Sequence, residues 1–324
     1  MNIAALHLHN NIVYAQLRGV STAGLGLDGL PTNLTDETAH ISVETFYRVL
    51  RELDGALNDP LWGIKSGEFL TLKLLGLIFR ISMRVTTVGE AFHYLQSYMD
   101  AALPIIKIRT DVANNLATIT LRIDHDEDEI NRVILEHTLT IISREIKLMS
   151  TEAPMIHIGT PYYTELYPHE WRLDSDFTIS FRPVILKAAL PERGYLHLDM
   201  LIPEYLRLME KLKNNSSFVS KVKLAMLSLS SPQLPDIQRV SDTLCLSPRT
   251  LQRRLSAEDT SFRRLSEEIK KQVCTYMLQH ECYTVSSFSY VLGYSEPAAL
   301  IHAFQKWFGD APIRMREKLK AEIR

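Results

Sequence analysis

Cysteine is scarce in this chain of 324 residues: Cys245, Cys274 and Cys282 are an odd count, all in the C-terminal part. That excludes a disulfide scaffold, and no pair has the spacing of a zinc site. His280 with Cys282 offers two ligands at best, so buried or idle thiols are expected, with no metal and no cofactor. Long apolar runs are missing as well. The most apolar tract, "LKLLGLIF" at 72–79, contains Lys73, is followed by Arg80 and is far too short to cross a bilayer. The opening "MNIAALHLHNNIVYA" has neither a basic n-region nor a long apolar stretch, so no secretory signal and no membrane partner are expected. The reading is a soluble, cytoplasmic protein. A surplus of one charge is also lacking, with 36 Lys and Arg against 38 Asp and Glu, and taken whole this balance says nothing about nucleic acid.

Catalytic signatures are equally thin. Gly24, Gly26 and Gly29 spell GxGxxG after an apolar run, Ile12 to Leu17, that reads as a strand. A dinucleotide fingerprint must open a helix, whereas "LPTNLT" with Pro31 follows here, so a nucleotide site is not expected. His7 and His9 would share one face of a strand, and His125 sits in the acidic run "DHDEDE" at 124–129, which reads as a solvated turn before a helix. There is no nucleophile elbow, phosphate loop or paired-histidine zinc motif, and the chain is not read as an enzyme.

What is present is a repeat. Ile237, Val240, Leu244 and Leu246 lead into Ser247; Val285, Phe288, Leu292 and Tyr294, each 48 residues on, lead into Ser295. Beyond the serine the second copy carries one added residue, so that Leu251 answers Leu300 and Leu255 answers Phe304. Spacings of three and four put these side chains on one helix face, and each copy reads as a helix-turn-helix unit, at about 236–257 and 284–308. Ser247 then Pro248 is an N-cap followed by a proline at the first helical position. Ser295 is expected to cap the matching helix, with Pro297 inside its first turn. Gly293 supplies a cheap positive φ in the second turn, and Cys245 at the same place predicts a slightly different first turn. Between the copies, Ser261 caps a long helix to about Gln279, with Phe262, Leu265, Ile269, Val273 and Met277 on one face.

Charge is divided along the chain. From Phe218 onward there are 16 basic and 11 acidic side chains, against 20 and 27 before it. A basic C-terminal module on an acidic body suits phosphate binding by one part of the molecule. In the first recognition helix Arg249, Gln252 and Arg253 fall on one face; arginine bridges guanine O6 and N7, and glutamine bridges adenine N6 and N7. The plain alternative is a solvated basic face. Arg254 points elsewhere and suits a phosphate. The second helix has weaker readers: Ala298 and Ala299 for thymine methyls, and His302, Gln305 and Lys306 for bases or phosphates, so specificity there is expected to be weak or shape-based. Arg263, Arg264, Lys270 and Lys271 read as solvated or phosphate-positioning.

The texts "LSPRTLQRRL", "SFRRL" and "LGYSEPAALIHAFQKWFGDAPIRMR", in this order over about the last 105 residues, resemble the DNA-binding domain of AraC/XylS-family transcription regulators. The resemblance implies two helix-turn-helix units joined by a rigid helix, with their second helices in successive major grooves of double-stranded promoter DNA. It also implies base contacts at Arg249, Gln252 and Arg253, and RNA polymerase as a partner. Near His302 relatives often carry an arginine that this chain lacks.

Residues 1–212 read as an α+β domain with an antiparallel sheet, followed by a polar linker at 213–217 and the all-α DNA-binding domain at 218–324. Helices are expected over Ser42–Gly55, Thr87–Ala102 with a capping box of Thr87 and Glu90, Glu129–Met149 and Pro203–Leu212. Strands are expected over Pro104–Thr110, Leu116–Ile123, Met155–Thr160 and Phe177–Phe181. "DPLWGIKSGE", "SMRVTTVGEAFHYLQSYMDAALP", "PYYTELYPHEWR" and "FTISFRPVILKAALP" resemble the N-terminal regulatory domain of the AraC branch named for arabinose binding. That implies effector binding, self-association as a homodimer, or both, with no implication that the effector is a sugar. Arg80, Arg84, His93, Tyr94, Tyr98, His157, Tyr162, Tyr163 and Trp171 have the mix expected of an effector pocket. The functional reading is a sequence-specific, effector-responsive activator. The alternative is an enzyme or small-molecule carrier domain with a DNA-binding tail.

Overall fold

A computed structural model describes residues 2–21, 30, 31, 33, 34, 36, 38–69, 85–149, 154–189, 217–230, 233–278, 285, 288, 289 and 292–323. It divides into two compact units, Met1–Pro191 and Glu192–Arg324. The GxGxxG glycines and the Pro203–Leu212 pattern lie outside the described residues, as does all of the expected linker except Ser217.

The first unit begins with β1 (Asn2–Ala4) and α1 (Ala5–Leu17). Its remaining strands are β2 (His40–Ser42), β3 (Ile106–Ala113), β4 (Leu116–Ile123), β5 (His157–Thr160), β6 (Trp171–Leu173) and β7 (Phe177–Phe181). Its helices continue with α2 (Val43–Leu57), α3 (Trp62–Glu68), α4 (Val88–Ala102), α5 (Asp128–Met149) and α6 (Val184–Lys187). β1 and β2 form a separate antiparallel pair. The main sheet has the order β3-β4-β7-β5-β6, antiparallel except for the parallel pair β5 and β6. This is the α+β architecture expected.

Local chemistry sets several ends. Ser42 caps α2 by accepting from the Thr45 amide at 3.2 Å. Thr87 likewise accepts from the Glu90 amide, but the Glu90 carboxylate takes the amide and hydroxyl of Thr86, at 2.8 and 3.0 Å. The box therefore closes one residue early, on Thr86 in place of Thr87, while the Val88 amide donates to the Ala188 carbonyl at 3.1 Å. One expectation fails outright: the run read as a strand before the glycines is the second half of helix α1. Seven of its residues from Ala5 to Ile12 are buried, so the helix shows no solvent face to betray its period. His7 and His9, two apart, then point to different sides of a helix instead of sharing a strand face.

Helix α5 is the centre of this unit, touching β4, β5 and β7 as well as α2 and α3. Its approach to α3 needs two glycines one turn apart. A β-carbon on Gly63 would stand 2.8 Å from the Val133 carbonyl oxygen, and one on Gly67 would stand 2.6 Å from that of His137. Trp62, only 1 % exposed, anchors the same short helix through its indole Nε1, which donates to Asp54 at 2.6 Å. The text "WGIKSGE" is thus a packing device.

The second unit comprises α7 (Phe218–Ser228), α8 (Ile237–Thr243), α9 (Pro248–Ala257), α10 (Phe262–Leu278), α11 (Pro297–Phe308) and α12 (Pro312–Ile323). Ser217 is the N-cap of α7, so this last residue of the expected linker already belongs to a helix start. Leu265, Ile269, Val273 and Met277 are buried along α10, with Phe262 half-buried at its start. Ser261 accepts from the Arg264 amide at 3.2 Å, as its capping role requires. Lys223 on α7 pairs with Glu268 on α10 at 2.8 Å.

Candidate nucleic-acid interface and effector cavity

The two turns match closely in geometry. In the first copy the Leu244 amide donates to the Val240 carbonyl and the Leu246 amide to that of Ser241, at 3.1 and 2.9 Å. In the second, Leu292 donates to Phe288 and Tyr294 to Ser289, at 3.0 and 2.9 Å, each 48 residues on. Cys245 has φ 52° and Gly293 has φ 73°, so both occupy the left-handed region. The expectation of a different first turn is corrected: the cysteine takes up the glycine conformation. Asp236 caps α8, accepting from the Arg239 amide at 2.8 Å.

The recognition helices differ at their starts. Ser247 caps α9, accepting from the Thr250 amide at 3.2 Å, with Pro248 at the first position. The N-cap of α11 is Glu296, which makes no side-chain cap, and Pro297 is its first residue. Ser295 is therefore not the cap. The residue added in the second copy falls between serine and proline, and the fixed φ of proline sets where each helix begins.

On α9, Leu251 and Leu255 are fully buried and hold the helix down, while Arg249, Gln252 and Arg253 are exposed. Among the described residues the side chains of these three make no hydrogen bond or ion pair. Arg254 is exposed too, but its guanidinium stands over the Phe218 ring at 5.4 Å. On α11, Leu300 and Phe304 are the buried anchors; Ala298, His302, Gln305 and Lys306 are exposed and Ala299 is half-buried. The cations of α10 are occupied. Arg263 pairs with Glu267 and Arg264 with Glu268, while Lys270 and Lys271 stand over the rings of Tyr294 and Phe308 at 4.6 and 5.3 Å. The two lysines tie the joining helix to the second helix-turn-helix.

The first unit holds a cavity of about 250 Å³ between α4, α5, β3 and β4. Phe92, Leu95, Met99, Ile119, Ile141 and Ile142 make its walls apolar. His7, His137 and Glu145 also line it and are all buried. Burial without a charged partner depresses both histidines, His7 to about 4 and His137 to about 3, and drives Glu145 up to about 7 against the pull of Arg144. Tyr98 Oη lies 3.3 Å from His7 Nε2.

The residues expected to form one pocket separate in the structure. His93 and Tyr98 line the cavity, and Tyr94, 54 % exposed, lies beside His93 in a shallow surface depression. His157, Tyr162, Tyr163 and Trp171 stand away from it around β5 and β6: the Tyr162 ring lies tilted 6.0 Å from that of Phe177 and under Arg132, and Tyr167 contacts both Tyr163 and Trp171. Arg80 and Arg84 lie outside the described residues. Sequence reasoning missed His137 and Glu145, although with Ile141 they form an i, i+4, i+8 stripe of α5, where two titratable groups on an apolar face are a usable signal.

Residues 22–172 match the family model described as the arabinose-binding domain of AraC transcription regulator, N-terminal, and residues 240–318 match a helix-turn-helix domain. An uncharacterised HTH-type transcriptional regulator of Mycobacterium tuberculosis is 33 % identical over 315 residues, spanning 92 % of this chain and 91 % of that protein. The chain belongs to the AraC family. It is a DNA-binding transcription regulator with an N-terminal α+β domain and a helical helix-turn-helix region. Among other relatives, the HTH-type transcriptional regulator VirS of M. tuberculosis is 24 % identical over 86 % of this chain and 85 % of its own length. The transcriptional activator CfaD of Escherichia coli is 23 % identical over 34 % of this chain and 46 % of its own. The reading as an enzyme or carrier with a DNA-binding tail is not favoured, since the regulatory match falls on the N-terminal body itself. Among the described residues no helix is long and apolar enough to cross a membrane.

Proposed function

We propose that this AraC-family protein is a cytoplasmic, effector-responsive activator, without catalytic activity, that reads promoter bases through Arg249, Gln252 and Arg253 on α9. The observation that carries this is their exposure, without partners among the described residues, on a helix fixed by a proline start, a serine cap and two fully buried leucines. Side chains already positioned and unpaired need not break protein contacts to meet base edges. Arg254, Lys306 and Gln305 supply phosphate contacts, and Ala298, Ala299 and His302 give α11 a weaker, shape-dependent role. The activator sense follows from the likeness to CfaD, and RNA polymerase and a second copy of the chain are the partners the family implies. An effector in the N-terminal unit acts by binding two arrangements of the protein unequally, which is what coupling to DNA affinity requires.

The test is a salt-graded binding assay of the full chain on its own upstream DNA and on a scrambled duplex. Selective binding that persists as salt rises is expected. Equal binding to both, with one steep salt slope, would reduce the contacts to phosphates and remove the base-reading role.

A further inference from the structure

We infer that the open edge of β3 is an interface between two copies of this chain, which meet antiparallel about a two-fold axis at Thr110, with Arg109 of each copy opposite Asp111 of the other. The inference names the surface used by the second copy already proposed as a partner, and it rests on that reading.

β3 stands at one end of the main sheet and pairs with β4 alone among the described strands. From Arg109 to Ala113 every residue is exposed, Val112 by 55 %. The hairpin shows which main-chain groups face outward. Asn114 and Asn115, with φ 51° and 59°, make a two-residue turn, and a turn of this kind closes on a hydrogen-bonded pair, here Ala113 with Leu116. Alternation then commits Asp111, Arg109 and Lys107 to β4 and turns the N–H and C=O of Val112, Thr110 and Ile108 away from it. Two contacts agree with that assignment. The amide of Ile106, which has the same parity, donates to the Leu103 carbonyl at 3.1 Å, and Gln96 Nε2 reaches the Ile108 carbonyl from α4 at 3.4 Å.

An exposed edge invites another strand, and charged side chains on it ordinarily blunt that tendency. Here the charges select one register. The two-fold axis of an antiparallel pair of like strands is perpendicular to the sheet, so like faces meet and the axis passes through a residue. An axis at Arg109 sets arginine against arginine, one at Asp111 sets aspartate against aspartate, and one at Ile108 sets Lys107 against Arg109. At Thr110 the same axis sets Arg109 against Asp111 and Ile108 against the exposed Val112, each of them twice. The outward-facing residues then exchange main-chain bonds, Thr110 with its own copy and Ile108 with Val112. The Ile108 carbonyl has a second lone pair for the incoming amide beside that used by Gln96. The ionic pairs fall at the non-hydrogen-bonded positions, where opposed side chains come closest. Among the described residues the side chains of Arg109 and Asp111 have no ion-pair partner, and they stand opposite Thr120 and Thr118 on β4.

The test is sedimentation velocity of the full chain, without DNA, over a range of concentrations. The parent is expected to associate. Arg109→Asp sets aspartate against aspartate and Asp111→Arg sets arginine against arginine, so each variant alone should associate at least about tenfold more weakly. Mixed in equal amounts, the two variants present opposite charges at both pairs and should associate with each other about as well as the parent does with itself. The doubly reversed chain should do the same alone. Both positions are exposed, and circular dichroism checks that each variant is folded. A mixture no better associated than either variant by itself overturns the register and with it the inference. Single variants that associate like the parent also overturn it, and leave the second copy to another surface. A parent that stays monomeric at every concentration overturns both the interface and the reading of a second copy as a partner.

Discussion

The two units bury different things. Among the described residues, the buried polar side chains of the second unit are all serine or threonine: Ser220, Ser228, Ser230, Ser241, Thr243 and Ser289. The first unit buries His7, Asn131, Glu136, His137, Arg144 and Glu145 as well. A hydroxyl can donate back to its own helix, as Ser230 does to Met226 at 2.8 Å, and costs little to bury. A titratable group is costly to bury unless paired, and such groups concentrate where a protein binds or responds. Among the described residues the second unit buries no acidic or basic side chain; the first buries several, and those around its cavity, His7, His137 and Glu145, are pushed toward their uncharged forms by burial.

The largest effect should come from closing the contact that holds α5 in place. Gly67→Ala puts a methyl 2.6 Å from the His137 carbonyl oxygen and 2.7 Å from Thr140 Cβ, so a backbone must move. A loss of about 3 kcal/mol or more in denaturant unfolding is expected, at the upper end of overpacking costs. Gly55→Ala, with nothing within 4 Å of the added carbon, should not share it. Equal effects at the two glycines would refute the tight α3–α5 contact.

Glu145→Gln tests the buried charge directly. The folded protein holds this proton more tightly than the unfolded chain, so between the ordinary value of 4.5 and about 7 it binds more protons when folded. Stability from this group is complete below pH 4.5 and is lost as pH rises through 7. The glutamine chain should therefore be more stable than the parent at pH 8, by up to about 3 kcal/mol, and hardly different at pH 4. His7 and His137 act oppositely, costing stability as pH falls below 6.5, but they are common to both chains and cancel in the difference. A difference that does not change with pH would show that Glu145 is not held uncharged.

On the DNA side, Arg253→Ala should relax selectivity at one base pair and cost ~1–3 kcal/mol, whereas Lys306→Ala should weaken all sequences alike and flatten the salt dependence. If Arg253→Ala weakened every duplex equally, it would be a phosphate contact, and the comparison between the two recognition helices would collapse.

How far the sequence discloses these differences depends on period. β4 and β7 were legible to the residue, β4 because one-sided burial leaves an alternating text and β7 because Phe, Ile and Thr crowd a five-residue run, and α9 was legible because a cap, a proline and two leucines agree. α1 was not, since a helix buried nearly all round has no polar face, and its alternating leucines and histidines imitate a strand. The cavity was half legible. His93 and Tyr98 stand on an amphipathic helix, but His137 and Glu145 lie on a face that only the packing of α3, α4 and the sheet shows to be enclosed.

The smallest effect is the most diagnostic of the repeat. Cys245 carries a β-carbon in the left-handed region at φ 52°, where a side chain costs about 1 kcal/mol that glycine does not incur, offset in part by the greater freedom of glycine in the unfolded chain. Cys245→Gly should therefore stabilise by roughly 0.5 kcal/mol, and Gly293→Cys should destabilise by a similar or slightly larger amount. Space does not intervene at Gly293, where an added carbon would meet Gln233 no closer than 3.5 Å. Opposite signs in thermal unfolding of the two single variants, summing to little in the double variant, would mean that both turns obey one backbone rule. A destabilising Cys245→Gly would mean that the thiol itself holds the first turn, and the two copies would then be alike in hydrogen bonding but not in what enforces it.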